Sequence, residues 1–438
     1  LKEKIPIARL IHELSRAGVY DRYTTRKLGV LVETLGNPVE IARKERLATQ
    51  ELFTDLFRKI EIDGTVRFTS LVGSDAGWPA EIACRVDKFL GFGNMGPVYA
   101  VTVGNEPYAL KINSIPHMQE IMETHGKFGL GGILHDLKES SGANLRIDIG
   151  QKVLSRKEKG LYGRCRKIVK VHTVGTSENY LFVLMDLLAV DPISSVDALE
   201  LGGDFRDVVA WCIDCAVGLC QIHVEERRLH FNIRPEAFIK REVKSRARLP
   251  KYTFFHYPQK FPRPEKGPSL ESEFIVVDHL DTSVDISDRG PKGLGTVGSW
   301  LYLPPETILQ LLKVLRHDYE THVMGETTPE SVQTVMLNRT QMDDVWAFGL
   351  TLYELLSRGK TCFGEPTTLS DMVNSVLLTK FDFSPVDERF RELLSAMLKK
   401  DPKERFQAVL QECPPKIASR RVLAEAVLYK LEKIAIES

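Results

Sequence analysis

The sequence predicts an α+β protein in which a β-rich stretch of five strands is followed by a mainly helical one, behind a helical N-terminal extension. Three observations predict it. Apolar residues recur at helical spacing in Ile5, Ala8, Leu10, Ile11 and Leu14, and again from Leu28 to Leu35. Gly36-Asn37-Pro38 then breaks the chain before a third periodic run from Val39 to Ile60. Between residues 85 and 185, short runs rich in Val, Ile, Tyr and Phe are bounded by turn residues, which is the signature of strands. From Val208 to Ile222 the chain is almost continuously apolar over the length of a core helix.

The extension covers residues 1–78, and Asp75-Ala76-Gly77-Trp78-Pro79 marks its end. The expected strands are Arg85–Phe89, Val98–Val103, Tyr108–Ile112, Ile168–Val174 and Tyr180–Met185, inside a unit spanning 79–188. Between Lys111 and Ile168, Gly126, Gly129, Gly131, Gly132 and Gly142 mark an inserted loop, and Leu145–Lys159 is the expected helix before the fourth strand. A second unit, 189–438, carries insertions near 241–273 and 307–342.

The chain has 438 residues, of which 43% are hydrophobic and 27% charged. That is the composition of a globular protein able to bury a large core. The 59 basic and 59 acidic residues cancel, so no global field points to nucleic acid or to an anionic membrane. The Tyr180–Val190 apolar run is short and holds Asp186, so no transmembrane segment is expected. Seven cysteines without a framework point to a reducing compartment, which favours a cytoplasmic location. Cys212, Cys215, Cys220 and His223 have the outline of a metal cluster, but their apolar surroundings read as a buried helix. The chain opens on Leu1 rather than Met, so it is expected to be an excised or processed piece with any targeting segment upstream.

An ordered set of motifs carries the chemistry. Leu90-Gly91-Phe92-Gly93-Asn94-Met95-Gly96-Pro97-Val98 fits L-G-x-G-x-x-G-x-V, and Tyr108-Ala109-Leu110-Lys111 fits V-A-I-K. Leu229-His230-Phe231-Asn232-Ile233-Arg234-Pro235-Glu236-Ala237-Phe238 fits H-R-D-L-K-P-E-N with two replacements. Val276-Val277-Asp278-His279-Leu280 keeps only the Asp of D-F-G. Leu303-Pro304-Pro305-Glu306 resembles A-P-E, Asp344-Val345-Trp346-Ala347-Phe348-Gly349 resembles D-x-W-x-x-G, and Arg405 follows in Asp401-Pro402-Lys403-Glu404-Arg405-Phe406. Over residues 85–436 the chain resembles the protein-kinase superfamily, in the form of a pseudokinase with a degenerate catalytic loop. The P-P-E variant, the insertion after it and the helical extension are similar, more distantly, to the secreted rhoptry kinase-like proteins of coccidian parasites, which implies a secreted effector as the alternative location.

That resemblance implies a bilobal protein-kinase fold, with a five-stranded small lobe and a helical large lobe. It places ATP against Gly91, Gly93, Gly96, Val98, Ala109, Lys111, Met185 and Leu187, with Mg2+ on Asp278. Gly91, Gly93 and Gly96 would let backbone approach phosphate, and Lys111 would add a point charge. The helix glutamate that pairs with such a lysine falls at Gln151, with Glu158, Glu120 or Glu123 as alternatives; Asp281 is the candidate for a second metal ligand. Asn232 stands where a general base belongs and Ala237 where a metal-binding Asn belongs, while Arg234 keeps a cation. An amide takes no proton near neutral pH and a methyl group ligates nothing, so no catalytic residue is intact.

The expected function is therefore a protein-binding scaffold or allosteric regulator, with an atypical kinase or ATP-dependent transferase using Lys111 and Asp278 as the alternative. Protein partners are expected through the N-terminal helices or the loop 241–273. Tyr252, Phe254, Phe255 and Tyr257 there alternate with Lys251, Lys260 and Arg263, the make-up of interface anchors. These aromatics equally suit packing on the helical part.

Overall fold

A computed structural model describes residues 52–71, 77–93, 96–116, 167–177, 179–188, 205–242, 255–256, 272–276, 284–285, 300–310, 340–364 and 369–437. The chain enters through helix α1 (Thr54–Asp63), which ends at Gly64 with φ 61°. The Gly64 N–H donates to the Ile60 carbonyl at 2.9 Å. Strand β1 (Thr65–Ser70) starts at once and pairs antiparallel with β2 (Glu81–Gly93). The meander continues through β3 (Gly96–Val103) and β4 (Glu106–Ser114). After β5 (Val171–Ser177) and β6 (Tyr180–Asp186) the sheet order is β1-β2-β3-β4-β6-β5, and β5 pairs back onto β1.

The result is a closed, six-stranded antiparallel barrel followed by helices. The expected bilobal protein-kinase fold with its five-stranded small lobe is therefore corrected. The sixth strand comes from residues 65–70, inside the stretch expected to be a helical extension. Val66 and Phe68 turn inward, buried, while Arg67 and Thr69 face out, so β1 obeys the two-residue period of a half-buried strand. Closure depends on Gly175, where an added Cβ would come within 2.2 Å of the Phe68 ring and 2.5 Å of the Thr69 carbonyl oxygen. The Phe68 ring stacks on Phe182 at 4.9 Å inside the barrel.

The barrel is filled rather than hollow. Val66, Phe68, Ile82, Cys84, Tyr99, Val101, Leu110, Ile112, Phe182 and Leu184 form one cluster, and α1 caps it with Leu56 and the fully buried Phe53. Phe53 stacks on Tyr180 at 5.6 Å, and the Tyr180 hydroxyl donates to the Leu52 carbonyl at 3.2 Å. Burial of a phenylalanine of this kind contributes roughly 1.5–3 kcal/mol. Burial likewise pushes the Cys84 thiol up to about 12.

A second cluster is built on helix α2 (Phe205–Cys220), which runs on into a π-helical turn, Gln221–Glu225. Around it pack α3 (Gln341–Leu356), α5 (Glu388–Met397), α6 (Pro402–Leu410), α7 (Pro415–Arg420) and α8 (Leu423–Glu437), while α4 (Leu369–Leu378) lies against the 3-10 turn Trp300–Tyr302. Thr340 and Asp343 close a capping box at the start of α3. The stretch Val208–Glu225 is long and apolar enough to cross a membrane by length and composition, and 78% of it is buried inside the protein, as a core helix would be. Cys212, Cys215 and Cys220 are buried thiols, and burial pushes the Cys212 and Cys215 thiols up.

Barrel and helices are tied at Lys167. Its ammonium lies 2.8 Å from Asp214 on α2, its N–H donates to Gln221 Oε1 at 2.8 Å, and Ile168 packs into the helical cluster. The insertion after β8 (Phe238–Glu242), which pairs with β9 (Ser272–Val276), is anchored as well. Glu432 of α8, fully buried, accepts the N–H groups of Phe255 and His256 at 2.6 and 2.9 Å and His256 Nδ1 at 3.0 Å. Phe255 packs against the helical core. Of the aromatic run expected as a docking surface, Phe255 is thus engaged within the chain; Tyr252, Phe254 and Tyr257 lie outside the described residues.

Candidate functional site

Strand alternation sorts the nucleotide-site candidates. Tyr99, Val101, Leu110 and Ile112 point into the barrel, so Val98, Ala100, Ala109, Lys111 and Asn113 occupy its outer face. The registers align them in two cross-strand rows, Val98–Lys111–Val183 and Ala100–Ala109–Met185. Small and apolar residues therefore surround one lysine, and the face is covered: Ala109, Lys111 and Met185 are buried. Asn113, one pleat beyond Lys111, is fully buried, and neither atom of its carboxamide makes a hydrogen bond among the described residues. Sequence reasoning did not single it out, although its two-residue spacing from Lys111 places it on the same face.

The glycine hairpin joins β2 to β3. Gly91 pairs with Val98 and has open space beside it. Gly96 differs: its φ is 149°, in the region that favours glycine. A Cβ there would meet the Ile112 carbonyl oxygen at 2.0 Å and the Phe53 ring at 2.6 Å. Gly96 thus serves close packing against α1 and β4, a role the motif did not indicate. Gly93 ends β2, and Leu187 is half-buried just after β6. Asp278, Asp281, Gln151, Glu158, Glu120 and Glu123 lie outside the described residues. Among the described residues no group of His, Cys, Asp and Glu side chains is arranged to hold a metal ion.

The degenerate loop forms a second group, between β7 (Arg228–Leu229) and β8. Asp344, fully buried on α3, anchors it: Oδ2 accepts the His230 N–H at 2.7 Å and Oδ1 the Phe231 N–H at 2.7 Å. His223, on the π-turn, donates Nε2–H to Asp344 Oδ2 at 2.8 Å. Burial opposes the charge on Asp344, but the bond from His223 and the donors around His230 hold its carboxyl below the usual carboxylate range. These contacts fix Phe231 at φ 62°. That left-handed conformation is unusual for a bulky residue. Asn232 is 4% exposed; its N–H donates to His230 Nδ1 at 3.1 Å, and its Oδ1 has no hydrogen-bond partner among the described residues. The Arg234 guanidinium lies 3.7 Å from Glu236, and Ala237 is buried in a single 3-10 turn, Pro235–Ala237.

Close to this loop, two carboxylates fasten residues 300–310. The Tyr302 hydroxyl donates to Glu354 Oε1 at 2.8 Å, and Glu306 pairs with Arg405. Arg405 is itself fully buried, donates to the Lys399 carbonyl at 2.6 Å and stands 5.2 Å from the Trp346 ring. The pairing brings the glutamate of the Leu303–Glu306 motif onto the arginine of the Asp401–Phe406 motif. Chemically, the barrel face offers a buried cation beside apolar surface, and the loop offers a buried amide at Asn232 and a methyl group at Ala237.

No protein-family model matches the chain, and the search of curated proteins found no match.

Proposed function

We propose that the chain is a pseudokinase in function: a protein-binding scaffold or allosteric regulator that binds ATP weakly and does not transfer phosphoryl groups efficiently. One observation carries the reading. Asp344, bonded to His223, accepts the N–H groups of His230 and Phe231 and so anchors the start of the loop, while the positions on which the chemistry would depend carry Asn232 and Ala237. A loop anchored by a buried carboxylate, with neither a base nor a metal ligand at those positions, suits a structural role rather than a catalytic one.

The barrel face fits a nucleotide in part. Val98, Ala109 and Met185 would lie against a base, and the Lys111 ammonium would meet phosphate oxygens. Mg2+ would screen phosphate charge if Asp278 held it. The burial of Lys111 and Asn113 favours weak occupancy, because a ligand must displace whatever covers them. What remains is surface, offered to protein partners through the N-terminal helices or the loop 241–273, the second anchored by Glu432.

The test is a phosphotransfer assay with radiolabelled ATP on the full chain, together with calorimetry. The unaltered protein should transfer no phosphate at an ordinary kinase rate, and Asn232→Asp with Ala237→Asn should restore little by itself if Gln151 stands where the partner of Lys111 belongs. Autophosphorylation that is robust in the unaltered chain and vanishes in Lys111→Met would refute the reading.

A further inference from the structure

The outer rim of the barrel holds a cluster that the degenerate site does not use. Trp78, just ahead of β2, Tyr108 on β4 and His172 on β5 meet edge to face. Ring centroids are 5.7 Å apart for Trp78–Tyr108, 6.1 Å for Trp78–His172 and 5.0 Å for Tyr108–His172. Asp186, the register partner of Tyr108, completes it with Oδ1 2.6 Å from His172 Nε2. A break in the β5–β6 register between Val171 and Thr173 re-aims His172 into this group, the kind of local device that serves a function more often than a defect. All four side chains are half-buried rather than sealed, with His172 and Asp186 at 17% and 31% exposure.

The cluster is electron-rich and acidic. Partial burial and then the charges of Glu106 and Asp186 push the Tyr108 phenol up, so its hydroxyl sits in a negative field. Neither the Trp78 indole N–H nor the Tyr108 hydroxyl makes a hydrogen bond within the described residues. Among those residues no cation lies over these three rings. Elsewhere the protein fills such positions itself, placing Arg389 over Phe205 at 3.2 Å and Arg421 over Phe406 at 5.1 Å.

We propose that Trp78, Tyr108, His172 and Asp186 form a docking site for an arginine side chain on a partner protein, an assignment that rests on the protein-binding reading above. Charge complementarity selects the occupant. A guanidinium is planar and weakly hydrated, so it stacks on aromatic faces while its donors reach carboxylate oxygens; a strongly hydrated lysine ammonium does this less well.

The experiment uses the full chain labelled with fluorotryptophan and followed by fluorine NMR, the Trp78 resonance being assigned by its loss in Trp78→Phe. The probes are a blocked Gly-Arg-Gly-Arg-Gly peptide, its lysine counterpart and its citrulline counterpart, which keeps the shape of arginine without the charge. The Trp78 resonance should shift saturably with the arginine peptide, more weakly with lysine and not with citrulline. Asp186→Asn should weaken the arginine response by about tenfold, the loss of one charge-assisted contact, and Tyr108→Leu should weaken it as well. The resonances of Trp211, Trp300 and Trp346 report whether each variant keeps its fold. A silent Trp78 resonance, an equal response to citrulline, or an Asp186→Asn variant that responds like the unaltered chain would overturn the assignment. Those results leave the protein-binding reading to its own phosphotransfer test, which does not involve this cluster.

Discussion

Replacing Glu354 by Gln should make the protein more stable at alkaline pH and leave it nearly unchanged at acidic pH. The Glu354 carboxyl lies beneath residues 300–310; burial, with Glu236 adding repulsion and the Tyr302 hydroxyl partly offsetting it, pushes it up from 4.5 to about 7. The folded protein therefore binds this proton more tightly than the unfolded chain does. Stability is lost as pH rises from about 4.5 through about 7, and it returns on acidification. The gap between 4.5 and about 7 corresponds to at most on the order of 3 kcal/mol, a ceiling because the group is only partly buried. Glutamine carries no charge at any pH and can still accept the Tyr302 hydroxyl through Oε1. Glu306, also pushed up to about 7 because burial outweighs its pairing with Arg405, contributes with the same sign, but it cancels when variant and parent are compared. Urea unfolding followed by tryptophan fluorescence at about pH 5 and about pH 8.5, on either side of the transition, measures the effect. The variant should gain on the order of 1–3 kcal/mol at the higher pH only. A loss of similar size at both pH values would show that Glu354 acts through packing and refute the electrostatic argument.

Two further outcomes follow from the contacts. Gly175→Val should open the β1–β5 seam, because its Cβ would stand 2.2 Å from the Phe68 ring. A loss of about 3 kcal/mol or more is expected, with faster amide exchange in 65–70 than in β3, and equal exchange in the two would contradict it. Asp344→Asn leaves one of three donors (His223 Nε2, His230 N–H, Phe231 N–H) facing an amide N–H, and it should cost about 3–5 kcal/mol. Thermal unfolding measures this, and a shift no larger than that of a surface substitution would mean the loop is held elsewhere.

The sequence by itself determined what repeats locally. Two-residue alternation along Tyr108–Lys111 is enough to put Ala109 and Lys111 on one face, because strand geometry fixes side-chain direction within a strand, whereas Val98 joins them only through the β3–β4 register. The apolar stretch around Cys212, Cys215 and Cys220 was legible as a buried helix for the same reason. The motif order located the loop carrying Asn232 and Ala237, an amide that takes no proton near neutral pH and a methyl group that ligates no metal. Residues 65–70 also alternate, yet they were absorbed into the helical extension, since so short a pattern does not say which strand it will join. Barrel closure was decided by the fit of Phe68 and Thr69 against Gly175, a distant position in the chain. The same holds for the loop anchor, where Asp344 meets the His230 N–H across 114 residues, and for Glu432, which takes the Phe255 N–H across 177. Such contacts are chosen by competition among distant surfaces once the chain is compact, so no local pattern encodes them, and only the tertiary structure decided them.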